Sequence, residues 1–248
     1  MSEQITVTIN GKPYEAEKGE YILSVARRNG VIIPTLCHHA SLSERGCCRV
    51  CVVEVIEGGR SKVVISCVYP ITGECEILTE SEKIVRIRRV ILSMLRDRTM
   101  TNSRVTALCS SYKVPEGGRF TGRKDDKCVM CGLCVMACNS VGSGAISSVG
   151  RGVGKKVSTP YDEPSIDCVG CGSCAAVCPT GEIEYTEYDG IRTIWGKRFE
   201  LLRCGVCGKA YATAEEFAQA GGDKPICDEC RKKKTGGVMA EVYGVRQG

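Results

Sequence analysis

An α+β chain built from several small units is what this sequence predicts, and three observations predict it. The intervals C-x2-C-x2-C-x3-C occur twice, at Cys128, Cys131, Cys134, Cys138 and again at Cys168, Cys171, Cys174, Cys178. Residues 4–9 alternate apolar and polar ahead of Asn10-Gly11, the signature of a tight hairpin. Glu82–Arg98 carries apolar residues near one helical face. A length of 248 residues allows two or three such units. With aromatics at only 5%, nineteen cysteines must replace part of the core with metal–sulfur bonds.

The elements follow in order. A strand at 4–9, the Asn10-Gly11 turn and a returning strand at Pro13–Glu17 make the hairpin. Glu20–Asn29 reads as a short helix, with Ile22, Val25 and Ala26 inward and Gly30 as its stop. Val50–Ile56 and Lys62–Cys67 are two more strands joined by Glu57-Gly58-Gly59-Arg60. Together they suggest a small β-grasp domain, residues 1–80, ending near Thr79. A helical linker, 81–120, contains Glu82–Arg98, with Ile84, Ile87, Ile91, Met94 and Leu95 inward and its arginines mostly on a solvated side. Residues 99–121 read as irregular, with a Pro-Glu-Gly-Gly loop at 115–118. A domain over 121–190 holds the two cysteine runs, joined by a Gly/Ser-rich loop at 139–160. A small module, 191–248, ends in the basic run Arg231-Lys232-Lys233-Lys234, read as a solvated tail.

The repeated runs have the pattern that places three thiolates around one four-iron cube and sends the fourth to its neighbour. Cys128, Cys131, Cys134 and Cys178 are assigned to the first [4Fe–4S] cluster. Cys168, Cys171, Cys174 and Cys138 are assigned to the second. Pro179 follows the second run as in bacterial ferredoxins, whereas Asn139 stands where the first run would have proline. Glycines 132, 170 and 172 let backbone N–H groups approach the sulfurs. Zinc at these runs is disfavoured, because zinc uses paired C-x2-C knuckles.

Cys37, Cys48, Cys51 and Cys67 form C-x10-C-x2-C-x15-C, whose first gap is longer than in plant-type [2Fe–2S] proteins. An iron-free core of buried cysteines is the other reading of this spacing. The surrounding residues Pro34-Thr35-Leu36-Cys37-His38 and Gly46-Cys47-Cys48-Arg49-Val50-Cys51-Val52-Val53-Glu54 carry more information. They resemble the N-terminal domain of the large iron–sulfur subunit of respiratory complex I. The same segment occurs in the diaphorase iron–sulfur subunit of NAD-linked hydrogenases and in the N-terminal part of iron-only hydrogenases. The resemblance covers roughly residues 4–190 and includes Gly132, Arg151-Gly152 and Cys178-Pro179-Thr180-Gly181. It implies a [2Fe–2S] centre on Cys37, Cys48, Cys51 and Cys67, and Cys47 as a packed thiol. Family members commonly add a His/Cys-ligated cluster; here only Cys109 falls in that region, and the histidines are His38 and His39, so that cluster is expected to be absent. The large hydrogen-activating domain of iron-only hydrogenases is likewise expected to be absent.

Cys204, Cys207, Cys227 and Cys230 are two C-x2-C pairs nineteen residues apart, with a short helix expected at Thr213–Ala220. This is close to the spacing of a structural zinc site. A third [4Fe–4S] cluster and a rubredoxin-like single iron are the alternatives. Cys75 and Cys109, without partners at ligand spacing, read as buried free thiols.

Several functions are excluded. MSEQITVTIN has neither a basic nor an apolar leader region, and no apolar run is long enough to span a bilayer, so a cytoplasmic protein is expected. Without export, the cysteines favour metal over disulfides. The formal charge of +5 treats every thiol as neutral. Each four-thiolate site would contribute about −2, which leaves a net negative holo-protein and weak support for nucleic-acid binding. Gly150-Arg151-Gly152-Val153-Gly154-Lys155 matches neither G-x-G-x-x-G nor the Walker spacing, so nucleotide chemistry must belong to a partner.

The expected role is therefore that of a non-catalytic electron-transfer subunit. The resemblance implies a flavin/NAD(P)H-binding subunit on one side and a second catalytic unit, above all a [NiFe] hydrogenase, on the other. Ferredoxin is a further candidate partner, and an electron-bifurcating assembly is compatible with this chain. The alternatives are the same role in an NAD-linked formate dehydrogenase or another low-potential dehydrogenase, a free-standing ferredoxin shuttle, and a zinc-dependent scaffold or nucleic-acid protein.

Overall fold

A computed structural model describes residues 3–99, 101–117 and 127–242, except for the side chains of Val153 and of residues 237–242. Gly118 and residues 121–126, which the sequence places in the Pro-Glu-Gly-Gly loop and at the start of the twin-run domain, lie outside the described residues. The chain divides into two compact units, each interrupted in sequence. The first comprises residues 1–137, 148–157 and 177–182, the second residues 138–147, 158–176 and 183–248.

The first unit is organised by a five-stranded mixed sheet. Its strands are β1 (Gln4–Ile9), β2 (Lys12–Glu17), β3 (Val52–Glu57), β4 (Arg60–Ile65) and β5 (Glu76–Leu78), in the order β2-β1-β5-β3-β4. Asn10 and Gly11 both adopt positive φ, 49° and 79°, which is the mirror-image turn that matches strand twist. β5 is absent from the sequence reading. Only three residues long, it pairs parallel to β1 and antiparallel to β3, so that Ile77 lies fully buried at the sheet centre. Helix α1 (Ile22–Arg28) is shorter than expected and covers the sheet with Ile22, Leu23, Val25 and Ala26. Val7, Ile9, Val53, Val55 and Ile77 meet these residues in one apolar cluster that also contains Cys51 and Cys67.

Helix α2 (Glu82–Arg98) matches its predicted limits because Ser81 caps it, accepting from the Ile84 N–H. Its inward face differs from the prediction. Met94 is 52% exposed, while Arg88 is completely buried. The buried line runs Ile84, Arg88, Leu92, at steps of four residues. The Arg88 guanidinium makes this possible by donating to the carbonyls of Val50 (3.0 Å), Val52 (2.7 Å) and Thr79 (3.1 Å). It also reaches Glu80 Oε1 at 2.6 Å and the Tyr112 hydroxyl at 3.0 Å. Residues 99–121 are not wholly irregular. Asn102 accepts from the Val105 N–H and starts helix α3 (Ser103–Ser111), which buries Val105 and Cys109.

The second unit contains a four-stranded antiparallel sheet, β8 (Tyr185–Tyr188), β9 (Ile191–Ile194), β10 (Lys197–Arg203) and β11 (Ala210–Thr213), in the order β11-β10-β9-β8. Thr213 and Glu216 form a reciprocal capping box at the start of α6 (Ala214–Gln219). The run Arg231–Lys234 is not a tail: it is exposed on helix α7 (Asp228–Val242). Among smaller elements, α4 (Leu133–Ser140) and α5 (Ser173–Ala176) begin within the cysteine runs. The loop at 139–160 contains short strands β6 (Ser147–Val149) and β7 (Lys156–Ser158).

Candidate metal centres

The β3–β4 hairpin assembles half of the first site. Cys51 immediately precedes β3 and Cys67 lies just beyond β4. Because Val52 pairs with Ile65, the two cysteines emerge together, and the Ser66 N–H donates to the Cys51 carbonyl at 3.1 Å. The other half comes from the 30–51 loop, where the Cys48 N–H points at Cys37 Sγ from 3.4 Å. All four sulfurs belong to buried residues. They titrate as two pairs. The bond to Cys37 lowers Cys48 to about 7 and the bond to Cys67 lowers Cys51 to about 7, while Cys37 and Cys67 are pushed upward by those same bonds and by burial. Two proton-sharing sulfur pairs in an apolar nest form a donor set that a metal group can take over by replacing the protons. The buried Ser66 hydroxyl stands beside Cys51 and helps to lower that thiol. A sulfur-rich group on Cys51 is an acceptor that such a donor fits. Cys47 departs from expectation: it is exposed, with its thiol near the Arg45 carbonyl.

Cys128, Cys131, Cys134 and Cys178 all lie in the first unit, although Cys178 follows the second run. Burial raises Cys131 to about 11 and Cys134 to about 12, and both also feel the charges of Cys128 and Cys178. Met130 and Gly132 take positive φ, 53° and 75°, and the Met130 N–H points at Cys128 Sγ from 3.4 Å. Cys131 packs in the same apolar cluster as Cys37 and Cys48, together with Leu36, Val50, Leu92 and Leu133.

Cys168, Cys171, Cys174 and Cys138 lie in the second unit. Burial raises Cys174 to about 11, and Cys171 and Cys138 add to the rise. The β8–β11 sheet encloses this loop, which sequence reasoning missed. Arg192, itself buried, donates to the Gly170 carbonyl at 2.7 Å and is held by Glu187 and Glu216. Lys197 Nζ donates to the carbonyls of Ser165, Ile166 and Cys168, and the Thr213 hydroxyl donates to that of Val169. Gly170 leaves no room for a side chain: a Cβ would stand 2.8 Å from Phe199 and 2.9 Å from Thr213. The readable signal was Asp189-Gly190, another positive-φ turn between alternating runs.

Cys204, Cys207, Cys227 and Cys230 converge until all their sulfurs lie within 4.8 Å of one another, the one such group among the described residues. The Val206 and Cys227 N–H groups point at Cys204 Sγ from 3.4 and 3.3 Å, and with Cys207 they lower it to about 6. A single tetrahedral ion with metal–sulfur bonds of about 2.3 Å needs sulfurs about 3.8 Å apart. Cys207 and Cys227 stand at 3.7 Å. A four-iron cube, with one thiolate on the outside of each iron, would spread the sulfurs much farther. Cys75 and Cys109 join none of these groups; burial raises both, Cys75 to about 11.

Residues 2–82 match the 2Fe-2S iron-sulfur cluster binding domain and residues 123–185 the 4Fe-4S dicluster domain. The NADP-reducing hydrogenase subunit HndD of Solidesulfovibrio fructosivorans is 34% identical over 215 residues, covering 74% of this chain and 36% of that protein. The chain is a homologue of oxidoreductase subunits of this kind. The NADH-ubiquinone oxidoreductase 78 kDa subunit of Candida albicans is 26% identical over 75% of this chain and 29% of its own length. A chain in the crystal structure of an NAD+-reducing [NiFe]-hydrogenase in the H2-reduced state superposes with a TM-score of 0.54 at 26% identity. That match covers 62% of this chain and 74% of the other. The resemblance read from the cysteine-flanking residues is thereby borne out, with both iron–sulfur domains in the expected order. The chain spans about a third of the length of these curated relatives. Among the described residues, no helix is long and apolar enough to cross a membrane.

Proposed function

We propose that this chain is a non-catalytic iron–sulfur electron-transfer subunit of a cytoplasmic, multi-subunit oxidoreductase. In this reading a [2Fe–2S] centre is held by Cys37, Cys48, Cys51 and Cys67. One [4Fe–4S] cluster is held by Cys128, Cys131, Cys134 and Cys178, and a second by Cys168, Cys171, Cys174 and Cys138. The clusters supply one-electron carriers; plant-type [2Fe–2S] centres lie near −400 mV, within reach of flavins linked to NAD(P)H. The polypeptide orients the thiolates, excludes water and places hydrogen-bond donors on the sulfurs. The relay would connect a flavin/NAD(P)H-binding subunit to a second catalytic unit, above all a [NiFe] hydrogenase. The observation that carries this reading is the shared apolar cluster around Cys37, Cys48 and Cys131. It gives the two-iron site and the first four-iron site a continuous, dry protein medium.

Zinc is the ion we assign to Cys204, Cys207, Cys227 and Cys230. The compact sulfur group supports a mononuclear site, and a redox-inert ion there makes the knuckles a folding element. Anaerobically purified protein should contain roughly ten irons and one zinc per chain. Alanine at Cys207 should abolish the zinc and leave the iron content unchanged. Zinc with little iron in the parent protein would defeat the electron-transfer reading. Isolation of the native protein with its bound subunits tests the partners, and recovery as a free 27 kDa species would favour a shuttle.

A further inference from the structure

The most unusual residue of the second unit is Trp195. It is the only tryptophan in the chain, and it occupies the first position of the two-residue turn between β9 and β10. Ile194 pairs with Lys197 across that turn, and Trp195 and Gly196 both take positive φ, 52° and 72°. Such a turn selects Asn, Asp or Gly at its first position. The other two-residue turns comply, with Asn10-Gly11, Gly58-Gly59 and Asp189-Gly190. A large side chain in left-handed backbone is strained, and strain of this kind persists where the surroundings fix it for a purpose.

The indole shows the purpose. Trp195 Nε1 lies 3.4 Å from Cys174 Sγ. An indole N–H can only donate. Two residues on, Lys197 caps the carbonyls around Cys168, so the tip of the hairpin places two cationic or donor groups on one cysteine run. We propose that Trp195 is a positioning residue that sets the reduction potential of the second four-iron cluster through its hydrogen bond to Cys174. The proposal rests on the ligand assignment above. An N–H donated to a ligating sulfur favours the form with more negative charge, which is the reduced one, and therefore raises the potential. The hairpin gives up a better turn residue to place this donor.

Potentiometric titration followed by paramagnetic resonance tests this in the complete chain with its bound subunits. Trp195→Phe keeps an aromatic ring and removes the donor; Trp195→Asn removes the donor and suits the turn. In both variants the potential of one [4Fe–4S] cluster should fall, by roughly a tenfold shift in its reduced-to-oxidised ratio, about 59 mV for one electron. The other [4Fe–4S] cluster and the [2Fe–2S] centre should keep theirs, and iron content should stay constant. Trp195→Asn should also melt no lower than the parent. Unchanged potentials in both variants, or loss of four irons from both, would overturn the proposal and leave Trp195 a packing residue. A parent protein without two [4Fe–4S] signals would instead defeat the ligand assignment itself, so the two failures are distinct.

Discussion

Replacing Cys178 by alanine is expected to strip the four irons held with Cys128, Cys131 and Cys134, and to leave those held with Cys168, Cys171 and Cys174. The expectation follows from where the sulfurs lie. Cys178 is four residues from Cys174 in sequence but belongs to the unit containing the first run, while Cys138 belongs to the unit containing the second. Cys131 and Cys134 feel the charge of Cys178, and Cys168 and Cys174 feel that of Cys138. Double substitutions make the test decisive, because losses at one site do not add whereas losses at two sites do. Cys178→Ala combined with Cys131→Ala should remove no more iron than either change alone, about four atoms per chain. Cys178→Ala combined with Cys171→Ala should remove about eight. Reversal of the two results would show that each run keeps its own fourth cysteine.

Arg88→Met should lower the melting temperature by about 10 °C and speed the loss of visible absorption from the two-iron site. The side chain is fully buried and satisfies three backbone carbonyls, two of which flank Cys51. A buried carbonyl left without a donor costs about 1–3 kcal/mol. Three of them approach 3–5 kcal/mol after partial relaxation, a large share of the roughly 5–15 kcal/mol that separates folded from unfolded chains. At about 2–4 °C per kcal/mol for a protein of this size, the shift is easily measured. Arg88→Lys should recover only part of it, since an ammonium cannot span donors that a guanidinium fork reaches together. Glu80→Gln should cost much less, because the Glu80 side chain is 47% exposed. Equal stability of Arg88→Met and the parent would show that water replaces the fork.

The convergence of Cys204, Cys207, Cys227 and Cys230 was legible because paired C-x2-C knuckles are written locally in the chain. Asn10-Gly11 and Gly30 were legible for a similar reason, as each reports a local backbone requirement. Residues governed by distant partners were not. Glu76–Leu78 is too short to signal a strand, and it becomes the central one only because β1 and β3 accept it. Arg88 reads as a surface cation until the carbonyls of Val50, Val52 and Thr79 are seen around it. α3 was hidden by its Ser and Thr residues, whose propensity is outweighed by the Asn102 cap and by burial of Val105 and Cys109. Trp195 concealed a hairpin by violating the preference of its own turn. Cys47 was expected to pack because it stands where the family has a small or polar residue, and it is exposed.

The position of β5 also constrains the order of events during synthesis. β1 and β3 do not pair with each other; Ile77 and its neighbours bridge them from almost seventy residues beyond the first strand. Such distant pairing must meet the entropy of closing a long loop before the sheet gains anything. A nascent chain that has exposed all of Cys37, Cys48, Cys51 and Cys67 therefore still has an unclosed sheet. The sheet that positions those thiols is complete only once the segment after Cys75 has left the ribosome.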